Sequence, residues 1–231
     1  MTFTLFLNEQ SKILLELLEL YFPKVHRKVR VIDLTFGRGA LWKQILANPI
    51  LRSKYRLTAC DASPDSNTVA GVRAIKRNLF TDDYTNLGKH DVATFDPPYL
   101  VARPSFDYET ASKRSWSANL ETHTSNPNLA VFNRRVEALK QKAPTFLKPG
   151  GLLLVKVMDP RSDGTLIPHH INITKTLSNS FQLIDLAIYV RMGPTTWKVR
   201  GHLQNLHGYW LVFKLKAAPR QSASPKEPGG A

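Results

Sequence analysis

The chain has 231 residues, 42% of them hydrophobic, and a lone cysteine, Cys60. That is enough apolar material for one packed domain, and it excludes an intramolecular disulfide or a cysteine metal cluster. Lys and Arg number 32 against 18 Asp and Glu, a net charge of +14, which favours a polyanionic partner, nucleic acid foremost, over an ordinary basic surface.

No apolar run approaches the roughly 18–20 residues that span a bilayer. The opening MTFTLFLNEQSK has neither a basic lead nor a small-residue cleavage pattern, so no secretory signal is expected and a cytoplasmic setting is. In chain order, residues 8–22 read as an amphipathic helix with Asn8 as N-cap. Short apolar runs follow at 28–34 (KVRVIDL), 55–61 (YRLTACD) and 90–96 (HDVATFD), with helical stretches around 40–47 and 64–74. A helix over 131–147 leads into a strand at 150–159, and two late strands occupy 181–192 and 208–216. This alternation predicts an α/β fold, a parallel sheet with helices on both faces, and the last two strands suit an antiparallel hairpin. The Pro-, Ser- and Gly-rich residues 217–231 read as a disordered tail after a single domain over 1–216.

Three of these runs close on an acid: Asp33, Asp61 and Asp96. Their spacing fits one strand–helix–strand unit each, about 30 residues. In an open parallel sheet, ligands bind outside the carboxyl ends of the strands. The three carboxylates are therefore expected along one edge, although acids also cap strand ends before ordinary turns. After Asp33 comes LTFGRGALW, in which Gly37 and Gly39 can adopt backbone angles closed to other residues and let a ligand approach the main chain. Asp61, ending the next strand, is placed to accept the hydroxyls of a ribose. A Walker lysine and a complete G-x-G-x-x-G are both lacking, which speaks against ATP hydrolysis and a dinucleotide.

FDPPYL, residues 95–100, places Asp96 before two prolines and an aromatic ring. Prolines fix the backbone and hold the preceding residue extended, so the carboxylate sits on a stiff corner. DLTFGRG resembles the cofactor loop of class I S-adenosylmethionine-dependent methyltransferases. DPPY is similar to the signature of members that methylate an amino nitrogen. The order, glycine loop first and DPPY later, resembles the adenine-N6 and cytosine-N4 DNA amino-methyltransferases with no separate recognition domain between, over about residues 3–216. The resemblance implies a Rossmann-like sheet, mostly parallel with an antiparallel C-terminal strand, and S-adenosylmethionine as cofactor. It implies that Asp33, Gly37 and Gly39 shape the cofactor pocket and that Asp61 binds its ribose. Asp96, Pro97, Pro98 and Tyr99 would form the catalytic corner. The acid that the family often carries after the third strand is replaced by AIKRNLFTDD, where Asn78 or Asp82 stands in.

The chemistry suits the corner. An exocyclic base amine is a weak nucleophile because its lone pair is delocalised into the ring. A carboxylate and the Pro97 carbonyl accepting its two hydrogens would direct that lone pair to an incoming methyl, with Tyr99 stacking on the base. A base in a duplex reaches such a pocket only by flipping out. Two stretches offer contacts to nucleic acid. Residues 101–128 mix Arg103, Lys113 and Arg114 with Phe106, Tyr108 and Trp116, and residues 191–201 carry Trp197, Lys198 and Arg200. Cations interleaved with aromatics suit phosphate contact plus stacking; plain surface exposure is the rival for both.

DNA is the expected substrate, with adenine-N6 slightly favoured over cytosine-N4 by the aspartate form of the corner. RNA bases or a protein glutamine are alternatives, and a non-catalytic nucleic-acid-binding fold is disfavoured because the whole constellation is intact. No metal is expected: His169 and His170 have no partner ligands at metal spacing and read as a solvated helix start. Cys60 reads as a small core residue.

Overall fold

The computed structural model describes residues 5–7, 9–23, 27–62, 64, 71–97, 127–162, 165–190 and 207–217, with the backbone alone at 5–7, 127–131 and 161–162. Strand β1 (Leu5–Leu7) and helix α1 (Gln10–Tyr21) precede β2 (Val29–Asp33). A 3-10 turn, Ala40–Trp42, runs into α2 (Lys43–Ala47) and then α3 (Pro49–Lys54), which delivers the chain to β3 (Tyr55–Asp61). Next come β4 (Ile75–Lys76), β5 (His90–Phe95), α4 (Pro127–Phe146) and β6 (Leu147–Val157). A two-stranded ribbon, β7 (Arg161–Ser162) with β8 (Thr165–Leu166), leads to α5 (His169–Leu177), β9 (Phe181–Val190) and β10 (His207–Leu215).

Eight strands form one sheet in the order β1-β9-β10-β6-β5-β2-β3-β4. Only β10 runs against its neighbours; the other pairs in the sheet are parallel. The chain moves from β2 outward to β3 and β4, then returns to the other flank of β2 as β5. The sheet therefore reverses its winding between β2 and β5, the place where open α/β sheets bind ligands.

Both faces are covered, and strand alternation sorts the core. Val31, Leu152 and Leu154 point to the face packed by Ile13, Leu14, Leu17 and Leu18 of α1 and by Trp42, Ile45 and Leu46. Ile32, Leu153, Val155 and Val157 point to the opposite face, packed by Phe132, Val136, Leu139, Ala143 and Phe146 of α4 and by Ile173 and Leu177 of α5. Cys60 is fully buried on that second face. Burial on two sides is why β6 reads as a near-continuous apolar run. Helix α3 starts where the sequence dictates: the Asn48 side chain accepts from the amides of Ile50 and Leu51, and Pro49 fills the first helical position.

Three expectations are corrected. Glu9 takes the N-cap position of α1; Asn8 lies outside the described residues. Of the helix expected over 64–74, residues 64 and 71–74 are described and are not helical. Gly71 there has φ +78°, in the left-handed region, which is not helical; residues 65–70 lie outside the described residues. His169 and His170 do begin a helix, but not a solvated one. His169 is 1% exposed and stacks on Phe132 with ring centres 3.9 Å apart. His170 is bonded to Asp159 Oδ2 at 2.5 Å through Nδ1. The expected tail from 218 onward lies outside the described residues. No helix among the described residues is long and apolar enough to cross a membrane.

Candidate active site at the carboxyl edge of the sheet

Strands β2, β3 and β5 are adjacent and parallel, so the acids that end or follow them lie on one edge. Asp33 pairs in register with Ala59 of β3 and Thr94 of β5. The loop after β2 keeps hydrogen bonding to both flanks: Leu34 N–H donates to Thr94 O at 3.0 Å and Phe36 N–H to Cys60 O at 2.9 Å. The chain then turns through Gly37 and Gly39, with φ +52° and +69°, angles at which any side chain is disfavoured. A Cβ added to Gly37 would meet nothing nearer than the Thr35 carbonyl at 4.0 Å. Its glycine therefore serves backbone geometry and leaves open space over the loop. Arg38 between them is exposed.

The first two acids have different jobs. Asp33 is 1% exposed, and both its oxygens are engaged inside the protein: Thr35 N–H donates to Oδ1 at 2.9 Å and the Trp42 indole N–H to Oδ2 at 2.5 Å. It shapes the loop from beneath. Burial pushes its carboxyl up to about 7, against the lowering effect of the Trp42 and Thr35 bonds and with a further rise from the charge of Asp96. Asp61 is half-buried and stands beside the loop, accepting the Gly37 amide on Oδ2 at 2.8 Å.

Asp96 follows β5. Its amide donates to Thr35 Oγ1 at 2.7 Å, which ties the glycine loop to the proline corner across the winding reversal. Its carboxylate takes the Lys156 ammonium on Oδ2 at 2.7 Å. Burial pushes the Asp96 carboxyl above its ordinary range, and the charge and hydrogen bond of Lys156 pull it back. Pro97 is buried next to it. Asn78 lies in the loop after β4, where its side chain accepts from Phe80 N–H at 2.8 Å and its own amide donates to Asp82 Oδ2 at 2.9 Å. The two candidates for the missing acid thus form one turn, and Lys142 of α4 clamps it by donating to the carbonyls of Phe80 and Asp82 at 3.0 and 2.8 Å.

The structure brings Asp33, Gly37, Gly39, Asp61, Asp96 and Pro97 together. Pro98, Tyr99, Arg103, Lys113, Arg114, Trp116, Trp197, Lys198 and Arg200 lie outside the described residues, although the segments that carry them leave from this edge. Residues 98–126 follow β5, and residues 191–206 join the end of β9 to the start of β10, which runs antiparallel to it. Thr35 and Lys156 are the two members that sequence reading missed. Lys156 had a signal: a lone cation within LLLVKVMD, a run otherwise fit for burial on both faces. Thr35 had none, because its bond reaches 61 residues along the chain.

Beside this edge, Asp159 follows β6 and is 3% exposed. Its carboxylate also accepts the His170 amide at 3.2 Å. The His170 ring stacks on Tyr209 at 4.3 Å, and the Tyr209 hydroxyl lies 2.9 Å from His207 Nε2. These residues fasten α5 and the start of β10 to the end of β6.

Strand order, the antiparallel β10 and the helices on both faces define the fold of Rossmann-like class I methyltransferases. No protein-family model matches the chain, and no curated protein matches it in sequence. Solved structures do match. A structure concerned with conversion of a disulfide bond into a thioacetal group during echinomycin biosynthesis superposes with TM-score 0.53 at 12% identity, covering 88% of this chain and 81% of that one. NodS, an N-methyltransferase from Bradyrhizobium japonicum WM9, gives TM-score 0.50 at 12% identity, over 90% of this chain and 96% of that one. TrmN from Thermus thermophilus gives TM-score 0.49 at 14% identity over 89% of this chain, which spans only 48% of the TrmN chain.

Proposed function

We propose that the protein is an S-adenosylmethionine-dependent methyltransferase that acts on an exocyclic amino group of a base in DNA, adenine-N6 favoured slightly over cytosine-N4. The observation that supports it most is the junction of two parts at the winding reversal: a left-handed glycine loop with Asp61 at its side, and the Asp96–Pro97 corner, joined through Thr35.

The residues present fit the cofactor. Gly37 leaves room over the main chain, and Asp61 brings a half-buried carboxylate beside that space, where a ribose would lie. Asp33 supports the loop from below without facing the ligand. When bound there, S-adenosylmethionine supplies an electrophilic sulfonium methyl. The remaining work belongs to the protein. Asp96 and the Pro97 carbonyl accept the two hydrogens of the amine and so aim its lone pair, and Tyr99 stacks on the base. The proton released as the nitrogen gains its methyl passes to Asp96 or to solvent. This is catalysis by positioning and a preorganised electrostatic field.

The net charge of +14 supports a polyanionic substrate. The segments at 98–126 and 191–206, which leave from the same edge, supply the proposed phosphate and base contacts through Arg103, Lys113, Arg114, Trp116, Trp197, Lys198 and Arg200. The test is incubation of the protein and S-adenosylmethionine with DNA and, separately, RNA, followed by digestion and mass spectrometry of the nucleosides. N6-methyladenine in DNA is the expected product. N4-methylcytosine would correct the base, methylation confined to RNA would correct the polymer, and no methylated nucleoside in either would overturn the proposal.

A further inference from the structure

We propose that Lys156 is a positioning residue of this site: its ammonium holds one oxygen of Asp96, leaves the other for the substrate, and restricts the corner to neutral, planar amino groups over charged alkylammonium groups. The proposal rests on the amino-methyltransferase reading above and adds to it a residue and a rule of selection.

The placement of Lys156 is hard to explain by folding alone. It lies in β6 on the face that carries Leu152 and Leu154, where an aliphatic residue would satisfy the packing. Instead the lysine is 4% exposed, and a buried ammonium is costly unless it is paired. Replacing a buried ion pair by apolar residues is often neutral or stabilising, so the pair is poor evidence of a purely structural role.

The surroundings are shaped to keep the ammonium where it is. Nζ lies 5.9 Å from the centre of the Tyr189 ring, within the range of a cation–π contact. Tyr189 sits directly opposite Gly208 in the β9–β10 register. A Cβ at Gly208 would come within 2.5 Å of the Tyr189 ring, so the ring can lie there only because residue 208 is glycine. Four strands thus converge on one contact: Gly208 of β10 admits Tyr189 of β9, Tyr189 lies beside Lys156 of β6, and Lys156 holds the carboxylate that follows β5.

The charge logic is specific. Among the described residues, the titratable groups that face Asp96 are Lys156 from β6 and Asp33 from β2. Burial favours a protonated Asp96, which would donate a hydrogen where the chemistry needs an acceptor. Lys156 opposes it. With Oδ2 occupied, the other oxygen is the acceptor for substrate. The ion-paired carboxylate is placed to accept a hydrogen bond from an amine that is neutral at the start. A protonated alkylamine would approach the ammonium of Lys156 at close range and be repelled.

The test is a titration of the Asp96 carboxyl by carbon-13 NMR, with the signal assigned by its loss in Asp96→Asn. It is run on the unaltered protein, Lys156→Met and Lys156→Arg, alongside the pH dependence of kcat for methyl transfer to DNA. An opposite charge at this range moves a carboxyl by about 1–3 pH units. Lys156→Met should therefore raise the Asp96 midpoint by about that much and carry the acid limb of kcat with it, whereas Lys156→Arg restores both. If the Met variant does not fold, Lys156→Gln, which keeps a donor and loses the charge, gives the same reading. An Asp96 midpoint unmoved in a folded Lys156→Met or Lys156→Gln overturns the proposal, whatever the substrate is. A shifted midpoint in a protein that methylates no nucleic acid supports the role of Lys156 and counts against the DNA reading alone.

Discussion

The amide of Asp96 donates to the hydroxyl oxygen of Thr35 at 2.7 Å, and Thr35 in turn gives its own amide to Asp33 at 2.9 Å. Two loops from different strands are thereby set against each other by one short side chain. In the proposed chemistry this bond fixes the distance between the donor of the methyl and the amine that receives it.

Thr35→Val keeps the shape of that side chain but removes the acceptor. The partly buried Asp96 amide is then left without its partner, at a cost of about 1–3 kcal/mol. Urea unfolding should show a lower midpoint with an unchanged slope, and Thr35→Ser should restore most of it. A Thr35→Val protein as stable as the original would mean that the two loops are held by other contacts.

Asp61→Ala removes the acceptor of the Gly37 amide together with the proposed ribose contact. Hydrogen bonds to charged groups contribute about 1.5–3 kcal/mol, so calorimetry should show S-adenosylmethionine binding weakened by roughly 10- to 150-fold. Unchanged affinity in a folded variant would remove Asp61 from the cofactor site.

Asp33 makes stability depend on pH. Its carboxyl, raised by burial to about 7, binds its proton more tightly in the folded protein than in the unfolded chain. That contribution is fully present below the unfolded pKa, near 4, and is lost as pH rises through about 7. The Asp33→Asn variant has no proton to lose at this position. Its unfolding free energy should therefore gain on that of the unaltered protein as pH rises from 4 to 8, by up to about 4 kcal/mol. A difference that stays flat across this range would show that Asp33 has an ordinary pKa.

What the sequence disclosed follows from how local each feature is. The strands β2, β5 and β6 were legible because burial on both faces leaves an apolar run bounded by acids or glycines, and β3, though partly exposed, because its run closes on an acid. Gly37 and Gly39 were legible because left-handed turns require glycine. The failures have one cause, partners that are distant in the chain. His169 and His170 look polar and solvated until Phe132 from α4 and Asp159 after β6 cover them. Lys156 was visible as an anomaly, but its partner was not, since Asp96 and Lys156 are 60 residues apart.

Binding to DNA should depend steeply on salt. Removing one phosphate contact flattens the slope of log K against log salt by about 0.9. Lys113→Ala with Arg114→Ala should lower affinity and reduce the slope together, measured by fluorescence anisotropy on a labelled duplex. If affinity and slope are both intact, the contact surface lies elsewhere, and Trp197, Lys198 and Arg200 are the next residues to replace.

The most direct measurement is methyl transfer to DNA by Asp96→Ala, with cofactor and DNA binding measured on the same preparation. Loss of a preorganised group of this kind costs about 10²–10³ in rate, and it acts on the transition state rather than on binding. The account expects transfer to fall by at least that factor while both affinities persist, with Asp96→Asn, which keeps one acceptor oxygen, retaining more activity than Asp96→Ala. Transfer at the normal rate by Asp96→Ala would contradict it.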